Sequence, residues 1–119
     1  MKILLVDDAD IANFIMKKLI AIVAPNATVI DFMDPRAAID NISTLNPDLI
    51  FLDLNMPDMS GFAFLDTMKE KGLKNKVIIL SSSTSEIDKK QAVKYKQVLG
   101  YYIKPLEKES LQKILSDLK

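Results

Sequence analysis

The chain has 119 residues, with 49% hydrophobic and 27% charged side chains, which fits one folded domain and not a disordered segment. Sixteen Lys and Arg balance sixteen Asp and Glu, so no bulk attraction to nucleic acid or an anionic membrane is implied. Cysteine and histidine are absent. That excludes disulfides, a cysteine nucleophile, a Ser-His-Asp triad and nearly every zinc site.

Lys2 to Asp7 reads as a buried strand rich in Ile, Leu and Val. The apolar run stops at Asp7-Asp8, too short for a signal-peptide core or a bilayer span. The expectation is therefore a cytoplasmic protein. Asp10 to about Val23 predicts a helix with Ala12, Ile15, Leu19 and Ile22 inward, stopped by Pro25-Asn26. Ala27 to Phe32 predicts a second strand. Asp34 caps a helix that has Pro35 in its first turn and runs through Ile39, Ile42 and Leu45. Asn46-Pro47 breaks it. Asp48 to Asp53 is a third apolar run.

Asn55 to Ser60 reads as a loop, in which Met56 and Met59 are packing anchors. A helix from about Gly61 to Lys71 ends at Gly72. Lys76 to Ser81 is the fourth strand. Ser85 to about Tyr95 is a polar helix, and Leu99 to Ile103 a short fifth strand ended by Lys104-Pro105. Glu107 to Leu118 closes the chain as a helix with Leu111, Ile114, Leu115 and Leu118 inward.

Five strand-helix repeats with strands apolar on both faces predict an α/β fold. Its five-stranded parallel sheet is doubly wound, with helices on both faces. The last periodic segment ends with the chain, so a single domain over residues 1–119 is expected. In such sheets ligands sit at the carboxyl ends of the strands. Asp7-Asp8, Asp53, Ser81-Ser82-Ser83 and Lys104 stand there. Three carboxylates together repel, and Lys104 offsets only one charge, since the one arginine, Arg36, lies elsewhere. An all-oxygen donor set suits Mg²⁺, with Mn²⁺ a substitute. A carboxylate beside a metal, a lysine and a hydroxyl suits a phosphoryl acceptor, because a carboxylate nucleophile needs no general base.

Taken together, these segments resemble the receiver domain of two-component response regulators over essentially the whole length. Ile3-Leu4-Leu5-Val6-Asp7-Asp8 resembles the opening strand and acidic pair of that family. Asp53-Leu54-Asn55-Met56-Pro57-Asp58-Met59-Ser60-Gly61 resembles its phosphorylation loop. Val77-Ile78-Ile79-Leu80-Ser81 resembles the strand ending in a hydroxyl switch, and Tyr101-Tyr102-Ile103-Lys104-Pro105 the aromatic switch and lysine.

The resemblance implies a flavodoxin-like strand order 2-1-3-4-5. It implies Asp53 as phosphoacceptor, and Mg²⁺ held by Asp8, Asp53 and the Asn55 backbone carbonyl, with Asp7 acting through a water. Ser81, the Ser82 and Asn55 backbone N–H groups and Lys104 would hold phosphoryl oxygens, and Tyr101 would be the rotameric switch. Tyr102 should send its ring to the opposite face. The implied donor is a histidine kinase or a histidine phosphotransfer protein. The implied output is a downstream protein reading the face of helix 4, strand 5 and helix 5, without direct nucleic-acid binding or membrane insertion.

The expected protein is a stand-alone receiver of the chemotaxis-regulator type, not an enzyme beyond slow self-dephosphorylation. The rival is a small Mg²⁺-dependent phosphatase with an aspartyl nucleophile, which resembles Asp-x-Asp after a strand; here Asn55 takes the second place. Two features depart from the family: Gln97-Val98 replace its usual Gly-Ala, and the fourth helix is basic, with Lys89, Lys90, Lys94 and Lys96.

Overall fold

In the computed structural model, which describes residues 1–118, strands and helices alternate along the chain. They are β1 (Lys2–Val6), α1 (Asp10–Val23), β2 (Thr28–Phe32), α2 (Pro35–Leu45), β3 (Leu49–Leu52), α3 (Gly61–Glu70), β4 (Val77–Ser81), α4 (Glu86–Ala92), β5 (Val98–Ile103) and α5 (Lys108–Asp117). All strand pairs are parallel and the order is β2-β1-β3-β4-β5. Among the described residues no helix is long and apolar enough to cross a membrane.

The sheet divides the core in two because successive strand residues face opposite sides. Leu4, Val6, Ile50, Leu52, Val77 and Ile79 face α2, α3 and α4, where Ile42, Phe64, Leu65 and Met68 bury completely. Ile3, Leu5, Leu49, Phe51, Ile78 and Leu80 face α1 and α5, against Met16, Ile20, Leu111, Ile114 and Leu115. Burying a side chain of this size contributes roughly 1.5–3 kcal/mol. The central strands β1, β3 and β4 therefore carry almost no polar residue before their last position.

Local chemistry sets the ends of the helices. Asp34 Oδ1 accepts from the Arg36 N–H at 3.0 Å and Pro35 opens α2, as the sequence predicts. Asn46, at φ 44°, ends α2 in the left-handed region. Gly72, at φ 71°, ends α3, with Leu73 N donating to Met68 O at 2.8 Å and Gly72 N to Lys69 O at 3.1 Å. Ser60 Oγ accepts from Ala63 N at 3.1 Å and opens α3.

Two expectations need correction. The buried stripe of α1 is Asn13, Met16 and Ile20, while Ile15 and Ile22 are 54% and 65% exposed. The polar Asn13 conceals that stripe in the sequence: its Nδ2 donates to the Asp7 backbone carbonyl at 3.0 Å, so it is buried with a partner. Helix α4 is also shorter than expected. It stops at Ala92, which leaves Lys94 and Lys96 in the turn beyond it. The remaining boundaries shift by one residue or so, and β5 begins at Val98 rather than Leu99.

A register shift accompanies that earlier start. Val77 pairs with Val98 but Ile78 pairs with Gly100, so Leu99 is an extra residue in β5. It resets the alternation. Val98 and Tyr101 consequently pack on the α2-α3-α4 side, and Tyr102 on the α1-α5 side.

Candidate functional site

Sheet order explains where the site forms. β1 connects outward to β2 through α1, whereas β3 lies on its other flank, so the loops after β1 and β3 diverge and leave a crevice. Asp7 and Asp8 follow β1 and Asp53 follows β3. One carboxylate oxygen of each lies within 4.8 Å of the others. Asp7 and Asp53 are buried and Asp8 is half-buried.

Each carboxylate is held differently. Asp7 Oδ1 accepts from Ala9 N at 3.0 Å, and its Oδ2 accepts from Lys104 Nζ at 2.5 Å. Asp53 Oδ1 stands 3.6 Å from the same Lys104 Nζ. Lys104 reaches them because it follows β5 on the flank beyond β4, and its N–H bonds Ser81 O at 2.9 Å. The Lys104–Pro105 peptide is cis.

Burial raises the Asp53 carboxyl above its ordinary value of 3.8. Lys104 opposes that shift, Asp7 adds to it, the Asn55 backbone N–H opposes it, and Asp8 adds a smaller push upward. A divalent cation would relieve the same stress. Three clustered carboxylates, with no His or Cys in the sequence, form an oxygen-only donor set that fits a hard ion such as Mg²⁺.

Ser81 ends β4 and is fully buried; its Oγ accepts from Ser83 N at 3.1 Å. Tyr101, half-buried on β5, donates its hydroxyl to Ser83 O at 2.8 Å. The loop after β4 is thus tied to both predicted switch residues. Met56 is buried and Met59 half-buried in the core beside α2 and α3, so both serve as packing anchors.

Sequence reasoning gave Gly61 only as a helix start and as the last residue of the segment resembling the phosphorylation loop, with no role of its own. A Cβ there would lie 2.7 Å from Asp53 O and 2.8 Å from Leu54 Cα, and both are backbone atoms. Its N–H also donates to Leu54 O at 2.9 Å. We expect Gly61→Ala to destabilise the protein by about 1–3 kcal/mol and to displace Asp53. Urea unfolding, together with Mg²⁺ titration of the folded variant, checks both effects; wild-type values in both would mean the loop yields freely.

Asn13 is another residue that sequence reasoning passed over. The signal available was a single polar side chain in register with Met16 and Ile20. By fixing the Asp7 carbonyl it fixes the direction in which β1 ends.

The family model of the response regulator receiver domain matches residues 3–116. The nitrate/nitrite response regulator protein NarL of Escherichia coli is 40% identical over 114 residues, which is 95% of this chain and 52% of that protein. The chain therefore spans about half the length of this curated relative. A two-component response regulator from Cytophaga hutchinsonii superposes with a TM-score of 0.89 at 28% identity, covering 98% of this chain and 95% of that one. The chemotaxis protein CheY4 of Vibrio cholerae superposes with a TM-score of 0.81 at 27% identity, covering 99% and 98%. With the strand order, the acidic crevice and a family match over nearly every residue in agreement, this chain belongs to the response regulator receiver domain family.

Proposed function

We propose that Asp53 accepts a phosphoryl group from a phosphohistidine on a histidine kinase or phosphotransfer protein in the cytoplasm. The observation that carries this reading is the buried Asp53 carboxylate, close to two further carboxylates and 3.6 Å from a lysine ammonium. An Asp53 oxygen attacks phosphorus, the P–N bond breaks, and the imidazole leaves with its electron pair. Lys104 Nζ stands where it can leave Asp7 and pair with a phosphoryl oxygen on Asp53. The Asn55 and Ser82 backbone N–H groups and the Ser81 hydroxyl supply the remaining donors.

Asp8, Asp53 and the Asn55 carbonyl would hold Mg²⁺, with Asp7 acting through a water. The bound ion supplies positive charge against the carboxylates and the phosphoryl oxygens. Mg²⁺ should raise the melting temperature of the wild type, because it binds the folded state and relieves repulsion. Asp8→Ala should remove most of that rise. A wild-type melting curve unmoved by excess Mg²⁺ would count against the acidic crevice as a metal site.

The output is a change in partner affinity at the face of α4, β5 and α5, through Ser81 and Tyr101. Support comes from the loop after β4, which is bonded to Ser81 Oγ and the Tyr101 hydroxyl at once. The direct test is incubation with acetyl phosphate and Mg²⁺, then peptide mass mapping after borohydride trapping. The expected product is a single homoserine at position 53, formed when borohydride reduces the acyl phosphate on Asp53 and releases phosphate. Homoserine at another position, or none, overturns the assignment.

A further inference from the structure

We infer that Ser83 is the positioning residue that passes the state of Ser81 to α4, and that α4 responds by pivoting about Tyr95. This rests on the reading above that the Ser81 hydroxyl donates to a phosphoryl group on Asp53.

Ser83 is held on three sides. Its N–H donates to Ser81 Oγ at 3.1 Å. Its carbonyl accepts from the Tyr101 hydroxyl at 2.8 Å. Its own hydroxyl donates to Asp88 Oδ2 at 2.7 Å and accepts from Ser85 N at 3.2 Å. Asp88 lies in the first turn of α4, and its N–H is capped by Ser85 Oγ at 3.4 Å. One residue therefore joins the buried hydroxyl at the end of β4, the aromatic on β5 and the first turn of α4.

The far end of α4 is fastened independently. Tyr95 donates its hydroxyl to Asp66 Oδ1 on α3 at 2.8 Å, and its ring stacks on Phe62 at 6.1 Å and 17°. Gln97 Nε2 donates to Asn75 O at 2.9 Å, which gives this departure from the family pattern a structural task. Between these anchors, Ala92 is the one buried residue of α4, and Ile87 and Val93 are 77% and 78% exposed. A seven-residue helix with so little buried surface can reorient at low cost.

The coupling follows from hydrogen-bond exchange. When Ser81 Oγ donates to a phosphoryl oxygen, it turns away from the Ser83 N–H. Ser83 must then shift to find another acceptor, and a shift of Ser83 moves Asp88 with it. The C-terminal end stays on α3, so the displacement is greatest at the first turn of α4 and fades toward Tyr95.

The experiment is amide NMR of the full chain with beryllofluoride and Mg²⁺ as the phosphoryl mimic. In the wild type, amides 53–55, 81–83 and 86–90 should shift, and those of 94–97 should stay. In Ser83→Ala the shifts near residues 53 and 81 should persist while those of 86–90 are lost, and Ser83→Thr should restore them. Asp88→Ala cuts the link from its other end and should give the same loss. Tyr95→Phe keeps the stack but frees the hydroxyl clip, and should extend the shifts to 94–97.

Wild-type shifts at 86–90 in both Ser83→Ala and Asp88→Ala overturn the relay alone, and an unchanged Tyr95→Phe pattern overturns the pivot. No wild-type shift near residues 53 and 81 overturns the phosphoacceptor reading, and the relay falls with it.

Discussion

Replacing Lys104 by Met should slow phosphorylation of Asp53 about 100-fold, the usual scale for losing one group that stabilises charge in the transition state. Lys104 Nζ is 2.5 Å from Asp7 Oδ2 and 3.6 Å from Asp53 Oδ1, so it pairs with both buried acids. Its loss leaves Asp7 without its charged partner while Asp8 and Asp53 remain near. The Lys104 side chain is 25% exposed, so water weakens the pair relative to a fully buried one. A stability loss of about 1–3 kcal/mol is expected. Asp53 should then titrate higher still, since Lys104 is the chief influence lowering its pKa. Excess Mg²⁺ should recover part of the stability, because any cation in the crevice opposes the same repulsion. Phosphorylation kinetics and urea unfolding with and without Mg²⁺ measure these effects; unchanged rates would remove Lys104 from the phosphoryl site.

Asp53→Asn should abolish the hydroxylamine-sensitive adduct altogether while leaving the fold intact. The amide is nearly isosteric but a poor nucleophile. It also removes a charge that burial and two neighbouring carboxylates disfavour, at the loss of one attraction to Lys104. The variant should be as stable as the wild type or more stable by about 1 kcal/mol in the absence of Mg²⁺. The pH dependence has a definite sign. The Asp53 pKa is raised on folding, so the folded state binds its proton more readily than the unfolded chain. Ionised Asp53 therefore costs stability above its folded pKa, and this cost fades as pH falls toward the ordinary 3.8. The advantage of Asp53→Asn should shrink over the same interval, and so should Mg²⁺ binding by the wild type. Melting curves across that range test both trends; an advantage that grows on acidification would contradict the desolvated carboxylate.

Much of this protein is legible residue by residue. Runs such as Leu49-Ile50-Phe51-Leu52 are apolar at every position because both faces of β3 are covered, as in a parallel sheet between helix layers. Asp34-Pro35 and Gly72 mark helix ends because capping is local chemistry, decided within four residues. The acids, hydroxyls and lysine of the site were found from strand ends alone, since parallel strands present all their C-termini at one edge.

What the sequence withheld depends on partners distant in the chain. Asn13 reads as a polar interruption in α1 until the Asp7 carbonyl stands 3.0 Å away. Gly61 reads as a helix start until the Asp53 backbone closes over it. The extra residue Leu99 in β5 leaves no mark in composition, because its cause is the register against β4. The length of α4 was overestimated because Val93, Lys94 and Tyr95 carry no helix-stopping residue. The helix ends where Tyr95 is drawn to the Asp66 carboxylate and Gln97 to the Asn75 backbone carbonyl, partners 29 and 22 residues away. Apolar runs, helical periodicity and local capping thus determined the elements and their succession along the chain. Only tertiary contact decided where α4 ends, which face of α1 is buried, and how the loop after β4 links Ser81 to Tyr101 and Asp88, because those choices rest on hydrogen bonds between groups that the chain brings together only when it folds.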